Sequence, residues 1–221
     1  MTPNGASDTA ADDSGLSPSE SLALIEGEHV TARKSLAINP VLTCGAWGAA
    51  WLLGFGSAYL STPGGGRVLA PWLSILLTIV LSAAAFVISA VDGMRAERGV
   101  HGRSRTTGRL YGLTWSLSFG ALALVNVGVA RLHLPSDALT LLWTADSALL
   151  VGVLYLAGGL LWAYPVQFVI GGWTVVVAGV SVFAGVPGNF LVLAFAGGGG
   201  FLVQAGYHAV RGRPGLATVR T

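Results

Sequence analysis

The fold is decided by residues 138–210, which read ALTLLWTADSALLVGVLYLAGGLLWAYPVQFVIGGWTVVVAGVSVFAGVPGNFLVLAFAGGGGFLVQAGYHAV and contain one formally charged side chain, Asp146. An α-helix rises about 1.5 Å per residue, so a single helix here would reach roughly 110 Å, enough for three crossings of a hydrocarbon core about 30 Å thick. Proline and glycine interrupt helices, and Pro165 and the Pro187-Gly188-Asn189 cluster divide this stretch. We therefore predict three membrane-spanning helices, over residues 138–161, 165–186 and 189–210.

Three more apolar runs, over residues 40–60, 70–91 and 110–130, contain no Asp, Glu, Lys or Arg. Of the 221 residues, 53% are hydrophobic and 10% are charged, whereas roughly 25% are charged in an ordinary soluble domain. This composition excludes a soluble globule, a nucleic-acid-binding domain and a disordered chain, and the single Cys44 excludes an intrachain disulfide scaffold. The sequence predicts an all-α polytopic membrane helix bundle with six transmembrane helices, surrounded by the lipid bilayer.

The segments that flank the six runs differ in character. Residues 1–16 are acidic and small, which predicts a disordered N-terminal tail. The capping box Ser17-Pro18-Ser19-Glu20 predicts a cytoplasmic juxtamembrane helix over residues 17–38. Three roles stay open for it: a solvated lead-in, a contact for a cytoplasmic partner, or a helix on the lipid surface. The transmembrane domain covers residues 39–210 and a cytoplasmic tail covers residues 211–221. One face of the juxtamembrane helix consists of Leu22, Ile25, His29, Ala32 and Leu36.

The twelve Lys and Arg residues are distributed unevenly. In a six-span arrangement, one side of the membrane holds ten of them and the other holds two, Arg67 and Arg131. Basic residues concentrate on the cytoplasmic side, so we predict a multi-pass protein of the plasma membrane with both termini in the cytoplasm. The ten are Arg33, Lys34, Arg95, Arg98, Arg103, Arg105, Arg109, Arg211, Arg213 and Arg220.

Half of these ten lie in residues 92–109, DGMRAERGVHGRSRTTGR, which we predict to be a cytoplasmic loop between the second and third spans. Each basic residue near an anionic leaflet contributes about 1 kcal/mol of attraction. The loop therefore either anchors the topology or binds an anionic ligand or lipid headgroup. Its arginines are Arg95, Arg98, Arg103, Arg105 and Arg109.

Three strongly polar side chains, Asn126, Asp146 and Gln204, fall inside predicted spans. A charged Asp near the bilayer centre costs about 2.5–3.5 kcal/mol, so Asp146 has to face protein or water. It either exchanges a proton or binds a cation, or it holds helices together through hydrogen bonds. Asn126 and Gln204 either join it in one polar cavity or act as hydrogen-bond partners between helices. Gln167 and Asn189 lie at predicted span ends, and we expect both at the membrane interface.

Four consecutive glycines, Gly197, Gly198, Gly199 and Gly200, lie in the sixth predicted span. Each costs about 1 kcal/mol relative to Ala in a helix, so packing or function has to compensate. The run either lets another helix approach closely or unwinds locally so that backbone groups line a binding site.

Signatures of enzymes are absent from the sequence. His29, His101, His133 and His208 are scattered, and no HExxH motif, haem-spaced His pair or GxSxG elbow is present. Lys34 is the only lysine, so a phosphate-binding Walker motif is missing as well. We expect no enzymatic activity, no cofactor and no metal site.

Glycine and tryptophan recur around the first and fifth spans, at Asn39-Pro40, Trp47-Gly48, Trp51-Leu52, Gly54-Phe55-Gly56 and Gly171-Gly172-Trp173, and four glycines precede Phe201. In this pattern, residues 20–210 resemble a group of small six-span bacterial integral membrane proteins that have no assigned role and are labelled transporter-like. The resemblance implies a six-span fold and a transporter-like role. It carries over no functional residue.

Two functions are compatible with these features. The first is a small permease-like transporter of an unidentified solute or ion, which forms an oligomer and uses Asp146 as its ionisable centre. The alternative is a non-catalytic membrane assembly, sensor or regulatory subunit that holds a cytoplasmic partner through residues 17–38. A polar, water-reachable cavity bordered by Asp146, Asn126 or Gln204 would favour the first, and a dry core around these three residues would favour the second.

Overall fold

A computed structural model describes residue 17 and residues 39–97 and 103–211, and the predicted tail, juxtamembrane helix and C-terminal tail fall largely outside this part of the chain. The described residues are helical with short turns and contain no strand. Six helical segments are long and apolar enough to cross a membrane. The prediction of an all-α polytopic bundle is confirmed, and the architecture is that of an integral membrane protein.

Five of the spans are single helices, and the sixth is composite. The single helices are α1 (Pro40–Leu60), α2 (Pro71–Glu97), α3 (Arg103–Ala130), α4 (Ser136–Leu161) and α5 (Pro165–Phe183). The sixth span consists of α6 (Gly185–Leu191), a π-helical segment (Val192–Gly198) and α7 (Gly199–Arg211). A 3-10 turn, Pro63–Gly65, connects α1 to α2.

Two predicted boundaries are wrong. The loop predicted over residues 92–109 is mostly helix, because α2 continues to Glu97 and α3 begins at Arg103. Arg, Ala and Glu are good helix formers, so both helices extend past their apolar runs. Arg95 therefore lies on the last turn of α2, whose negative dipole end favours a cation.

The second boundary is the turn between the fifth and sixth spans. The chain turns at Ala184, Gly185 and Val186, earlier than predicted, with Gly185 at φ +63° and Val186 extended. Glycine adopts positive φ without steric cost, so Gly185 makes this tight turn possible. Pro187 and Asn189 consequently lie inside α6 and not in the turn.

The core consists of α1, α4, α5 and the sixth span. Two buried clusters fill it: Ala148, Val177, Ala178 and Leu193 form one, and Cys44, Ile170, Phe201 and Ala205 form the other. The remaining helices lie at the periphery, with α2 packed on α1 and α3 on α4. Only 6% of the most apolar window of α3 is buried, compared with 39% for the sixth span. The exposed apolar faces of α2 and α3 match a lipid environment.

Glycines allow two close helix crossings in this core. A Cβ atom added to Gly48 of α1 would lie 2.9 Å from the carbonyl oxygen of Gly198, and one added to Gly198 would lie 2.9 Å from that of Gly48. Gly152 of α4 and Gly171 of α5 are paired in the same reciprocal way. Such contacts are shorter than any other residue permits, so both crossings depend on glycine.

Side-chain hydrogen bonds attach the two peripheral helices. Between α1 and α2, Asp92 Oδ2 accepts from the Asn39 backbone N–H at 2.6 Å, and Trp47 Nε1 donates to Ser89 Oγ at 3.0 Å. Between α3 and α4, the Tyr111 hydroxyl donates to the Leu154 carbonyl oxygen at 2.5 Å. These bonds are polar links between the peripheral helices and the core.

Candidate functional site

Asp146 lies on α4, ten residues after the helix begins at Ser136 and therefore roughly 15 Å along its axis. Its side chain is partly exposed in the chain, on a helix otherwise packed against α3, α5 and α6. Its Oδ1 atom is buried and has no hydrogen-bond partner. Buried polar atoms normally have at least one hydrogen-bond partner, and this oxygen has none.

Asn126 of α3 lies beside the Asp146 carboxyl, together with the Ser147 side chain. The Asn126 side chain is completely buried, although most of α3 is exposed. Neither its Oδ1 nor its Nδ2 atom reaches hydrogen-bond geometry with any partner. Asn126 is therefore the neighbour of the Asp146 carboxyl across α3 and α4, but one oxygen of Asp146 and both polar atoms of Asn126 do not reach hydrogen-bond geometry.

The third sequence-predicted polar residue, Gln204, lies elsewhere. It is on α7 beside Phe201 and Ala205, which pack with Cys44 near the start of α1. Asn189, by contrast, contacts α4 close to Asp146, and Gln204 follows Asn189 by 15 residues, roughly 22 Å of helix. The structure therefore brings Asn126 to Asp146 and leaves Gln204 roughly 22 Å further along the sixth span than Asn189, with its buried Oε1 atom unpartnered.

Asn189 is a polar core residue that sequence reasoning missed. It is completely buried, and its Nδ2 donates to Thr144 Oγ1 of α4 at 3.1 Å, while its Oδ1 has no partner. Asn189 therefore lies in the protein interior and not in the turn that the sequence predicts between the fifth and sixth spans. The missed signal was Gly185, because a turn at that glycine moves Asn189 into the following helix.

The two polar contacts lie on different sides of α4. Thr144 and Asp146 are two residues apart, so their side chains point about 200° apart around the helix. Thr144 meets Asn189 of α6, and Asp146 meets Asn126 of α3. The two polar contacts are therefore separate, although they lie at a similar depth along α4. The described contacts do not join them into one cavity.

No charged side chain of the described residues compensates Asp146. The groups that influence its carboxyl are Asn126, Ser147 and the local backbone. Residues 138–210 contain no Lys or Arg. A carboxylate here would be uncompensated in a medium where a charge costs about 2.5–3.5 kcal/mol, so a proton, a cation or water has to neutralise or hydrate it.

The glycine run Gly197–Gly200 is helical throughout, and three of its members make close contacts. A Cβ atom on Gly197 would lie 2.7 Å from Trp51, one on Gly198 would lie 2.7 Å from the Leu52 backbone nitrogen, and one on Gly200 would lie 2.7 Å from Trp173 Nε1. Of the two interpretations that the sequence left open, close packing agrees with these contacts. Gly199 faces open space.

The helical distortion lies just before and within this run. Residues Val192–Gly198 form a π-helix, a geometry that is rare and often occurs at functional sites. Trp173 of α5 donates its indole N–H to the Ala196 carbonyl oxygen in this segment at 2.8 Å. The sixth span is therefore irregular at two points, the extended Val186 and the π segment.

The basic residues of the predicted loop are only partly described. Arg95 and Arg109 are exposed side chains on α2 and α3, the backbone of Arg103 and Arg105 belongs to the first turn of α3, and Arg98 lies outside the described residues. Arg95 borders an open groove of about 180 Å³ between α1 and α2, with Leu42, Val87, Ile88, Val91 and Asp92. Asp92 itself is engaged at the start of α1.

Within the described residues, no group of three or more His, Cys, Asp or Glu side chains is placed to hold a metal ion. Comparison of the chain with models of protein families, with curated proteins and with solved structures returns no match. The assignment of a role therefore depends on the site geometry.

Proposed function

We propose that the chain is a small permease-like transporter that moves a small solute or ion across the plasma membrane, with Asp146 as its ionisable centre. The observation that supports the proposal is the contact between Asp146 and the fully buried Asn126, in which three polar atoms lack hydrogen-bond partners. An ionisable residue inside a membrane span is rare and commonly marks an ion or substrate path.

A purely structural pair would be built differently. A buried polar atom without a partner costs about 1–3 kcal/mol, so an Asp and an Asn that only join two helices gain most when their hydrogen bonds are closed. Here Asp146 Oδ1 and both polar atoms of Asn126 are open. We propose that water, a proton or a solute completes the site.

The irregular sixth span supports the same proposal. Transporters commonly use interrupted helices to form sites and to change conformation. Residues Val192–Gly198 are π-helical and lie between α1 and α5, where Trp51 and Trp173 contact the glycine run. We propose no enzymatic role, and we expect the exposed faces of α2 and α3 to contact lipid or a second copy of the chain.

The test is a flux measurement in proteoliposomes. Purified full-length protein is reconstituted with a trapped pH-sensitive dye, and proton movement is recorded after a pH step while amino acids, sugars or organic cations are added in turn. We expect Asp146→Asn to reduce the flux to that of protein-free liposomes. The matched control is Asp137→Asn, which changes an exposed acid in the first turn of the same helix.

An Asp146→Asn protein that folds and still transports at the wild-type rate would refute the proposal. Asp146→Leu separates a structural role from a functional one. If Asp146 only joins helices, Asn is tolerated in both stability and flux, and Leu unfolds the protein.

One observation favours the alternative role as an assembly or regulatory subunit. The helices α2 and α3 lie outside the core with long apolar faces exposed, and such faces fit a neighbouring membrane protein as well as lipid. In this case a partner would copurify in mild detergent, its recovery would be unaffected by Asp146→Asn, and replacements on the exposed face of α3 would release it.

A further inference from the structure

We propose that the contact between Asp146 and Asn126 binds a single proton and not a metal cation, and that Asn126 serves both states of the carboxyl by turning its amide. The inference deepens the proposed function by naming the species that the site takes. Proton binding is measured without transport, so the two proposals can fail separately.

The number of ligands at the site argues against a metal ion. Magnesium takes six ligands in a near-octahedral arrangement, several of which are usually water, and calcium takes six to eight oxygens. The protein groups at the site are one carboxylate, the Asn126 amide and the Ser147 hydroxyl, and the described residues hold no group of three or more His, Cys, Asp or Glu placed for a metal. A proton needs only one carboxyl oxygen and one acceptor.

The charge at the site also fits one proton. Two of the helices that contact α4, namely α5 and α6, contain no titratable side chain. On α3, the titratable side chains end at Tyr111, roughly 22 Å of helix before Asn126. On α4 itself, Asp137 and Tyr155 are each nine residues from Asp146, roughly 14 Å along the axis.

Beyond the end of α3, Arg131 and His133 are exposed in the turn that leads to α4. None of these groups is among those that act on the Asp146 carboxyl. A single negative charge without a basic partner is balanced by a single positive one. Binding one proton makes the site neutral, and release of that proton to water restores the carboxylate.

The chemistry of the Asn126 amide suits both states. An amide has an acceptor oxygen and an NH₂ donor. With Asp146 protonated, its O–H donates to Asn126 Oδ1; with Asp146 ionised, Asn126 Nδ2 donates to the carboxylate. Because neither end of this buried amide has another partner, no competing hydrogen bond holds it in one orientation. Asn126 is therefore a positioning residue for the proton on Asp146.

Infrared difference spectroscopy on the full-length protein in lipid nanodiscs tests the inference. The carbonyl band of protonated carboxylic acids is followed as pH is changed, and we expect a component that Asp146→Asn removes and Asp137→Asn leaves in place. Replacement of choline chloride by sodium chloride at equal ionic strength should leave its midpoint unchanged. Absence of an Asp146-dependent band, or a sodium-dependent midpoint, overturns the inference.

The role of Asn126 has its own readout. Asn126→Leu removes the donor to the carboxylate, and charge-assisted hydrogen bonds are the stronger ones, so the midpoint should rise above the wild-type value. In Asn126→Ser, the new hydroxyl can both donate and accept a hydrogen bond, so the midpoint should return toward the wild-type value. A purely structural Asn126 would change thermal stability and leave the midpoint where it is.

If the Asp146-dependent band is present and no solute or proton flux is found, the proton site stands and the transport proposal fails. If flux depends on Asp146 but the midpoint depends on sodium, transport stands and the proton assignment fails.

Discussion

Trp173 of α5 donates its indole N–H to the carbonyl oxygen of Ala196 in the sixth span, 2.8 Å away, and the same indole nitrogen lies 2.7 Å from the position that a Cβ atom on Gly200 would occupy. A hydrogen bond and a glycine contact therefore hold one tryptophan against the π segment. This arrangement explains why a bulky ring and a residue without a side chain occur as partners on neighbouring helices.

Trp173→Phe should lower the stability of the bundle while it keeps an aromatic ring against Gly200. Hydrogen bonds between membrane helices contribute about 0.6 kcal/mol on average and up to about 1.7, and we expect a loss within this range. Thermal unfolding in detergent measures it. Trp143→Phe, at an exposed tryptophan on α4, is the matched control, and an equal loss in both variants would contradict the role of the Trp173 hydrogen bond.

Two Gly→Ala replacements should have effects of opposite sign. In Gly198→Ala, the new methyl group would lie 2.7 Å from the Leu52 backbone nitrogen, and overpacking of this kind costs about 1–3 kcal/mol. In Gly179→Ala, the methyl group meets nothing within 4 Å, and Ala is better than Gly in a helix by about 1 kcal/mol. The thermal unfolding temperatures of the two purified variants, measured against the wild-type protein, test both signs. A stabilised Gly198→Ala protein would mean that the crossing with α1 is looser than described.

The hydrogen bond between Asn189 and Thr144 should couple α6 to α4 energetically. A double-mutant cycle with Asn189→Leu and Thr144→Val isolates the pair, and we expect a coupling energy of about 0.6–1.7 kcal/mol. The control is a second cycle that combines Asn189→Leu with Thr140→Val, which lies on the same face of α4 one turn earlier. The losses of stability in this control cycle should be additive. Additive losses in the Asn189–Thr144 cycle would show that the 3.1 Å contact does not stabilise the bundle.

The predicted orientation can be tested with single cysteines in a Cys44→Ser background. His133→Cys, in the exposed turn between α3 and α4, should react in intact cells with a maleimide that does not cross membranes, since that turn belongs to the side with two basic residues. Arg95→Cys, exposed on the last turn of α2, should react only after the cells are opened. The reverse labelling pattern would place both termini outside.

Much of the fold could be predicted because lipid imposes a length. A run without charge that matches the hydrocarbon thickness has few alternatives to a spanning helix, and the limits of α1 and the start of α5 at Pro165 agree with prediction. The turn at Gly185 could not be predicted because Pro187 and Gly188 offered a stronger local turn signal. The consequence was the misplacement of Asn189.

The candidate site was only partly predictable for a geometric reason. Helix spacing gives the depth of Asp146, Asn126 and Gln204 along their own helices, but not which helices are neighbours or how each is rotated. The meeting of Asp146 with Asn126 depends on the packing of α3 against α4. The π segment was invisible in the sequence because Trp51, Trp173 and the glycines that accommodate it lie on three different spans.

The reciprocal contact of Gly48 with Gly198 joins the first span to the last across 149 intervening residues. While the earlier spans are being synthesised, the surface of α1 around Gly48 does not yet have its partner in the sixth span. The packing of the first span is therefore completed last, and we expect a chain truncated before residue 185 to be less stable in the membrane than the full-length protein.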